Sequence, residues 1–256
     1  MKFIKLLAML SIFLIFTGCS SEEKSSQPPL RIGSAMEFAP FDFQEEGSNQ
    51  YQGFDIDLIR AVGRELNREV QISDIGFESG FDKLILTLDS NNIDAIIAGM
   101  TITEERKDKV LFSDPYYHSG LTIAVREDET GINKFADLAG KRVAMLIETT
   151  GGAEVQRLPN VTIQEFEYSP GCFEALANGE VDAVVQDRPV TDYMIARGEI
   201  SNVKVLPELL TQEDYGIAVR KDDVELQQQI NDALKKIRES GEYDRIFDRW
   251  FRKPKQ

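Results

Sequence analysis

Two cysteines, one histidine and one tryptophan are all that the 256 residues hold of those types. Cys19 and Cys172 cannot build the dense disulfide framework of a small secreted domain. Cys172 falls on the apolar face of a helical stretch and reads as a packed small hydrophobe. His118 has no cysteine or second histidine near it, so the common Cys/His metal sets are excluded and it reads as structural. Basic side chains are also scarce: 29 Lys and Arg stand against 44 Asp and Glu, a net charge of −15. A protein that grips a phosphate backbone needs a basic footprint, so nucleic acid is not expected as a partner. No G-x-S-x-G, H-E-x-x-H, G-x-G-x-x-G or Walker-type loop occurs, and no catalytic residue, metal or cofactor is expected. What is present, 42% hydrophobic and 29% charged residues, is an ordinary globular mix long enough for one large or two modest domains.

Long apolar runs are missing too. Lys2 and Lys5 precede an uncharged stretch from Leu6 to Phe16, whose roughly 16 Å of helical rise falls well short of the ~30 Å hydrocarbon layer. It reads as the core of a secretory signal. The small residues after it end in Phe16-Thr17-Gly18-Cys19, which resembles the lipobox of bacterial lipoproteins, with Phe16 where Leu is usual. The resemblance implies a signal peptide over residues 1–18 and lipidation of Cys19. Ser20 to Pro29 has no apolar residue and fits a tether.

From Leu30 onward short apolar runs alternate with helical periods, which argues for an α/β fold with a largely parallel sheet. Leu30 to Gly33 and Ile93 to Gly99 are expected strands. Phe54, Leu58, Ala61, Val62 and Leu66 share one helical face, as do Phe81, Leu84, Ile85 and Leu88, with Ser79 placed to cap the second helix. A repeat is visible: Leu84, Leu88 and Ile93-Asp94-Ala95-Ile96-Ile97 correspond to Cys172, Leu176 and Val181-Asp182-Ala183-Val184-Val185. Leu30-Arg31-Ile32-Gly33 likewise has an echo in Lys141-Arg142-Val143-Ala144-Met145. Two lobes of similar design are expected. In the tail, Leu226, Ile230, Leu234 and Ile237, then Tyr243, Ile246, Phe247 and Trp250, read as core faces of two helices.

Ligands of open α/β sheets sit beyond the carboxyl ends of the strands. There Ala98 and Gly99 let backbone approach a ligand, and Thr103 can cap a helix carrying Arg106, a bidentate partner for a carboxylate. Composition alone favours a plain solvated face for Glu104 to Lys109. Thr149-Thr150-Gly151-Gly152 is a second strand-turn-helix start, and Asp187 ends the second repeated strand. An acid from one lobe and an arginine from the other would hold the two charges of an α-amino acid in a cleft that closes on it.

Gly53-Phe54-Asp55-Ile56-Asp57-Leu58, the run Ile93 to Arg106, Phe112-Ser113-Asp114-Pro115-Tyr116-Tyr117, Gly241-Glu242-Tyr243 and Trp250-Phe251 resemble the extracytoplasmic solute-binding proteins of polar amino-acid ABC transporters. The resemblance spans about residues 30 to 252. It implies the two-lobed periplasmic-binding-protein type II fold, with lobe 1 over 30–115 and 216–252, lobe 2 over 121–210, and hinges at 116–120 and 211–215, after a lipid-anchored linker at 19–29. By position, Arg106 takes the ligand carboxylate, helped by Thr101, Thr149 and Thr150; Asp187 takes the ammonium with the Gly99 carbonyl near it; Phe38 and Phe81 wall the side chain beside Ala98. Gln186 stands where glutamine-specific relatives can carry His. Ala35 holds the place of an acid common in glutamine and basic-amino-acid binders, and Glu148 replaces a usual Gly. The implied function is capture of a free L-amino acid, arginine/lysine-type or glutamine, by an extracytoplasmic, membrane-tethered monomer that delivers it to an ABC permease. The alternative is a dehydratase-type enzyme on the same fold, for which Glu37 and Glu148 are the candidate acids.

Overall fold

A computed structural model describes residues 27–45 and 47–252. The lipobox, with Cys19, and the signal stretch lie outside the described residues. The chain begins with β1 (Leu30–Ser34), β2 (Glu37–Phe38), β3 (Asp42–Gln44), β4 (Tyr51–Gln52), α1 (Phe54–Glu65), β5 (Val70–Asp74), α2 (Gly80–Asp89), β6 (Ala95–Ile96), α3 (Glu104–Lys109) and β7 (Val110–Phe112). It continues through β8 (Tyr117–Ser119), β9 (Leu121–Arg126), β10 (Arg142–Leu146), α4 (Thr150–Val155), β11 (Thr162–Phe166), α5 (Ser169–Ala177), β12 (Ala183–Asp187), α6 (Arg188–Arg197) and β13 (Val203–Val205). It closes with β14 (Glu213–Tyr215), β15 (Ala218–Arg220), α7 (Val224–Glu239) and α8 (Glu242–Phe251).

Two five-stranded sheets result, ordered β5-β1-β6-β15-β7 and β11-β10-β12-β9-β13. In each, three parallel strands are followed by an antiparallel fourth, β15 against β6 and β9 against β12. The chain passes between the sheets twice, and the two passages pair as an antiparallel ribbon, Tyr117 opposite Tyr215 and Ser119 opposite Glu213. The fold is the two-lobed α/β architecture expected of the sequence.

The repeat has a physical content beyond its apolar pattern. Arg31 binds Asp94 through its backbone N–H (3.0 Å), Nε (3.3 Å) and Nη2 (2.6 Å). Arg142 binds Asp182 through the same three groups at 2.9, 3.2 and 2.7 Å. In both lobes the Asp before the Ala of the third strand thus locks onto the Arg of the first. Both pairs are partly open to solvent, so they set register more than they add stability.

The helical faces bury as the periods require: Phe54, Leu58, Ala61 and Val62 of α1, and Phe81, Leu84, Ile85 and Leu88 of α2. Leu226, Ile230, Leu234 and Ile237 of α7 are buried too, and α7 and α8 pack on α1. Trp250 is held structurally, its indole N–H donating to Asp57 at 2.9 Å. Cys172 is buried and burial pushes its thiol up to about 12, so it is unreactive near neutrality. Two local expectations fail. Ser79 stands at the N-cap of α2 without a side-chain capping bond. The expected strand Ile93 to Gly99 is reduced to Ala95–Ile96, because Asp94 is drawn to Arg31 and Gly99, with φ of 56°, turns the chain out of the pleat.

Candidate functional site

Arg106 is fixed before any ligand is considered. Thr103 accepts the Arg106 backbone N–H at 3.1 Å and starts α3 directly after the bridge that ties Thr101 to Tyr215. The guanidinium lies 4.2 Å above the Phe81 ring and donates to the Thr101 carbonyl at 2.9 Å and the Glu148 carbonyl at 3.4 Å. Only 9% of Arg106 is exposed. Burial lowers its pKa, and the charges of Glu213 and Asp187 oppose that shift. A buried guanidinium remains cationic and keeps the rest of its donor fork for an anion.

Asp187 ends β12 at 8% exposure. Its Oδ1 accepts the Tyr215 hydroxyl proton, and the Ser119 hydroxyl lies 3.0 Å from the Tyr215 oxygen and 3.5 Å from Oδ1, with one proton to give to either. Burial, then repulsion from Glu213, pushes Asp187 up to about 7, while the Tyr215 bond and Arg106 pull the other way.

Phe38, Phe81, Ala98, Gly99, Thr101, Arg106, Thr149, Thr150 and Asp187 all line one inner cavity of about 30 Å³. Gln186 does not line it. Its amide is buried and donates to Ser169 Oγ, because successive strand residues face opposite sides and Asp187 takes the cavity side. Ala35, Glu37, Phe77, Leu146 and Glu167 complete the wall. Glu37, exposed on its outer side, is pushed up to about 7, by partial desolvation first and then by Asp74, Glu78 and Glu167. A second, open cavity of about 690 Å³ shares Phe81, Thr101, Arg106, Thr149 and Thr150 and adds Glu148, Glu213, Lys107, Lys109 and Arg157. Glu148 therefore lines the outer cavity and Glu37 the inner one.

Two left-handed residues meet across the cleft. Glu148 has φ of 55°, a backbone that Gly adopts without strain. Gly80 has the same φ, and a Cβ there would collide with the Cβ of Glu148. Gly99 is equally constrained: a Cβ would strike the Phe38 ring, and its N–H donates to Asp55 at 2.8 Å.

Reading the sequence missed two carboxylates. Glu167 follows the carboxyl end of β11, the position where sheet ligands gather, and that signal was available. Glu213 gave no signal among 44 acids.

A two-lobed α/β protein with opposed buried charges and aromatic walls at one interlobe cavity defines the class of binding proteins that enclose a small polar solute. The chain belongs to the bacterial extracellular solute-binding proteins, family 3, whose sequence profile matches residues 30–253. It is 33% identical to ABC transporter arginine-binding protein 1 of Escherichia coli K12, over 98% of this chain and 99% of that one. Among solved structures it is similar to an ancestral arginine-binding protein bound to glutamine, with 39% identity, a TM-score of 0.79, and 88% and 98% of the two chains covered. It is also similar to the arginine-, lysine-, histidine-binding protein ArtJ of Geobacillus stearothermophilus, with 30% identity, a TM-score of 0.79, and 89% and 97% coverage.

Proposed function

We propose that this protein is the substrate-binding component of an ABC importer, that it captures a free L-α-amino acid with a cationic side chain, and that it delivers it to a membrane permease. One observation carries the reading: Arg106, Asp187, the rings of Phe38 and Phe81, and the acids Glu37 and Glu167 line a single cavity. Arg106 takes the α-carboxylate and Asp187 the α-ammonium. The rings flank the aliphatic part of the side chain, and a cation at its end relieves the crowding of Glu37 by Asp74, Glu78 and Glu167. Relatives named for arginine, lysine and histidine are in keeping with this choice.

A cavity of about 30 Å³ has room for water but not for an amino acid. Entry therefore requires the lobes, 30–115 with 216–252 and 121–210, to part about the β8–β14 ribbon, and ligand shifts an open-closed population. The receptor reading is favoured over a dehydratase by relatives named as amino-acid-binding proteins of ABC transporters. The protein works as an extracytoplasmic monomer tethered through lipidated Cys19. Cys19→Ala should move it from the membrane to the soluble fraction of lysed cells, and continued membrane association removes the anchor.

The ligand is tested by calorimetric titration at pH 8 of refolded residues 30–256 with arginine, lysine, histidine and glutamine. Arginine or lysine should bind most tightly. Glu37→Gln combined with Glu167→Gln should weaken arginine at least about tenfold, the size of a lost hydrogen bond to a charged group, and weaken glutamine far less. Equal losses for both ligands would remove the two acids from side-chain recognition.

A further inference from the structure

The second strand of the ribbon holds a carboxylate to which the reading above gives no task. Glu213 and Tyr215 are two apart on β14 and so share a face, while Asp214 between them faces His118 on the exposed side, 2.5 Å away. Glu213 is buried, with 8% exposure. Its Oε2 accepts the Thr101 hydroxyl at 2.9 Å and the Thr150 hydroxyl at 3.0 Å, and its Oε1 accepts that of Thr211 at 3.1 Å. Thr101 follows a strand of the first sheet, and Thr150 opens a helix of the second lobe, so one carboxylate joins groups from both lobes. Both threonines line the inner cavity.

A hydroxyl has one proton and two lone pairs. With both protons committed to Glu213, Thr101 and Thr150 offer a ligand only acceptors, which suit an ammonium and leave a carboxylate to Arg106. Glu213 is also the leading counter-charge to Arg106 and the leading like charge on Asp187.

We propose that Glu213 is a positioning residue for amino-acid capture: from the same face of β14 as Tyr215, which holds Asp187, it turns the Thr101 and Thr150 hydroxyls into acceptors for the ammonium. The inference rests on the proposed amino-acid site. The charged and titratable groups that face Asp187 are Arg106 from α3, Glu213 and Tyr215 from β14, and Tyr117 from β8. Protonated Asp187 is a poor ammonium acceptor, so affinity falls as pH drops through its folded value of about 7. Removing the like charge of Glu213 lets Asp187 stay ionised to lower pH.

The test is the arginine Kd measured from pH 5 to 8, with and without Glu213→Gln. Glu37 titrates in the same range, so both chains carry Glu37→Gln. The pH of half-maximal affinity should fall by about one unit in the Glu213→Gln chain, the scale expected of a close like charge. Thr150→Val, which removes one hydroxyl and leaves the charge, should weaken binding at every pH without moving that midpoint. A midpoint unmoved by Glu213→Gln, with affinity lost equally at all pH values, would overturn the proposal and leave the amino-acid site intact. If the parent chain binds none of the four amino acids, the functional reading itself fails and takes this inference with it. A second measurement reads Asp187 directly: its side-chain carboxyl carbon, assigned by ¹³C NMR through Asp187→Asn, should titrate at lower pH in the Glu213→Gln chain than in the parent. Equal titration in the two chains would overturn the proposal.

Discussion

Arg106→Ala should raise the Kd for arginine at least about 30-fold, the equivalent of roughly 2 kcal/mol, when measured by calorimetry at pH 8. Two losses add. The first is direct, because a charge-assisted fork to the α-carboxylate disappears. The second reaches the other end of the ligand: Arg106 holds down the pKa of Asp187, and without it burial and Glu213 keep Asp187 protonated to higher pH. The loss should therefore be larger at pH 7 than at pH 8.5, where Asp187 is ionised in both chains. Arg106→Lys keeps a charge but not the planar fork over Phe81, and it should fall between the two. Among the described residues the Arg106 guanidinium bonds to the Thr101 and Glu148 carbonyls and stacks on one ring, none of which starts or ends a helix or strand, so the circular dichroism of the alanine variant should match that of the parent. An unchanged Kd would take Arg106 out of the site.

Much of this arrangement was legible because it repeats or follows a period. The apolar-Asp-Ala strand occurs twice, which points to two lobes, and the structure adds that each Asp clasps the Arg of the neighbouring strand. The faces of α1, α2 and α7 follow from a 3.6-residue period alone. Thr149 and Thr150 were marked by a strand-turn-helix start, whereas the roles of Phe38, Phe81 and Thr101 depended on resemblance, since nothing in their spacing separates them from ordinary core or turn positions. Gln186 was the one candidate that strand alternation spoke against, because it cannot share a cavity-facing side with its neighbour Asp187. Glu213, and Glu167 apart from its place just after the end of β11, did not stand out for a different reason. Acids are abundant here, and what distinguishes these two is burial or a place in a wall built by segments distant in sequence. Gly99 and Glu148 show the same limit at the backbone: a positive φ is visible in sequence only where a glycine marks it.

The fold should lose stability as pH rises from about 4 to 8, and Asp42→Asn should remove part of that loss. Asp42 and Asp55 are both fully buried behind the inner cavity. Asp42 Oδ2 accepts the Ser34 hydroxyl and the Ala35 N–H, the latter at 3.1 Å. Asp55 Oδ2 accepts the Gly99 N–H and the Tyr116 hydroxyl, each at 2.8 Å. Ala35 and Gly99 both line the cavity, so this pair of carboxylates fixes the loops from which its wall is made. The Oδ1 atoms of both have no hydrogen-bond partner among the described residues. Burial raises both pKa values, Asp55 to about 7, and repulsion from Asp55 raises Asp42 further. A folded-state pKa above the unfolded one means that the folded chain binds the proton more tightly. The stabilisation is therefore complete below the unfolded value near 4 and is lost as pH rises through the folded value. An asparagine at 42 keeps an oxygen for Ser34 and Ala35 and brings no charge, so it should stabilise the fold by about 1 to 3 kcal/mol at pH 8 and by little at pH 4.5. Urea unfolding at the two pH values measures the difference. Asp42→Ala, which leaves the buried Ala35 N–H without an acceptor, should destabilise at both. If Asp42→Asn and the parent chain lose stability equally between pH 4.5 and 8, Asp42 is not an acid whose ionisation opposes folding, and the slope must arise elsewhere.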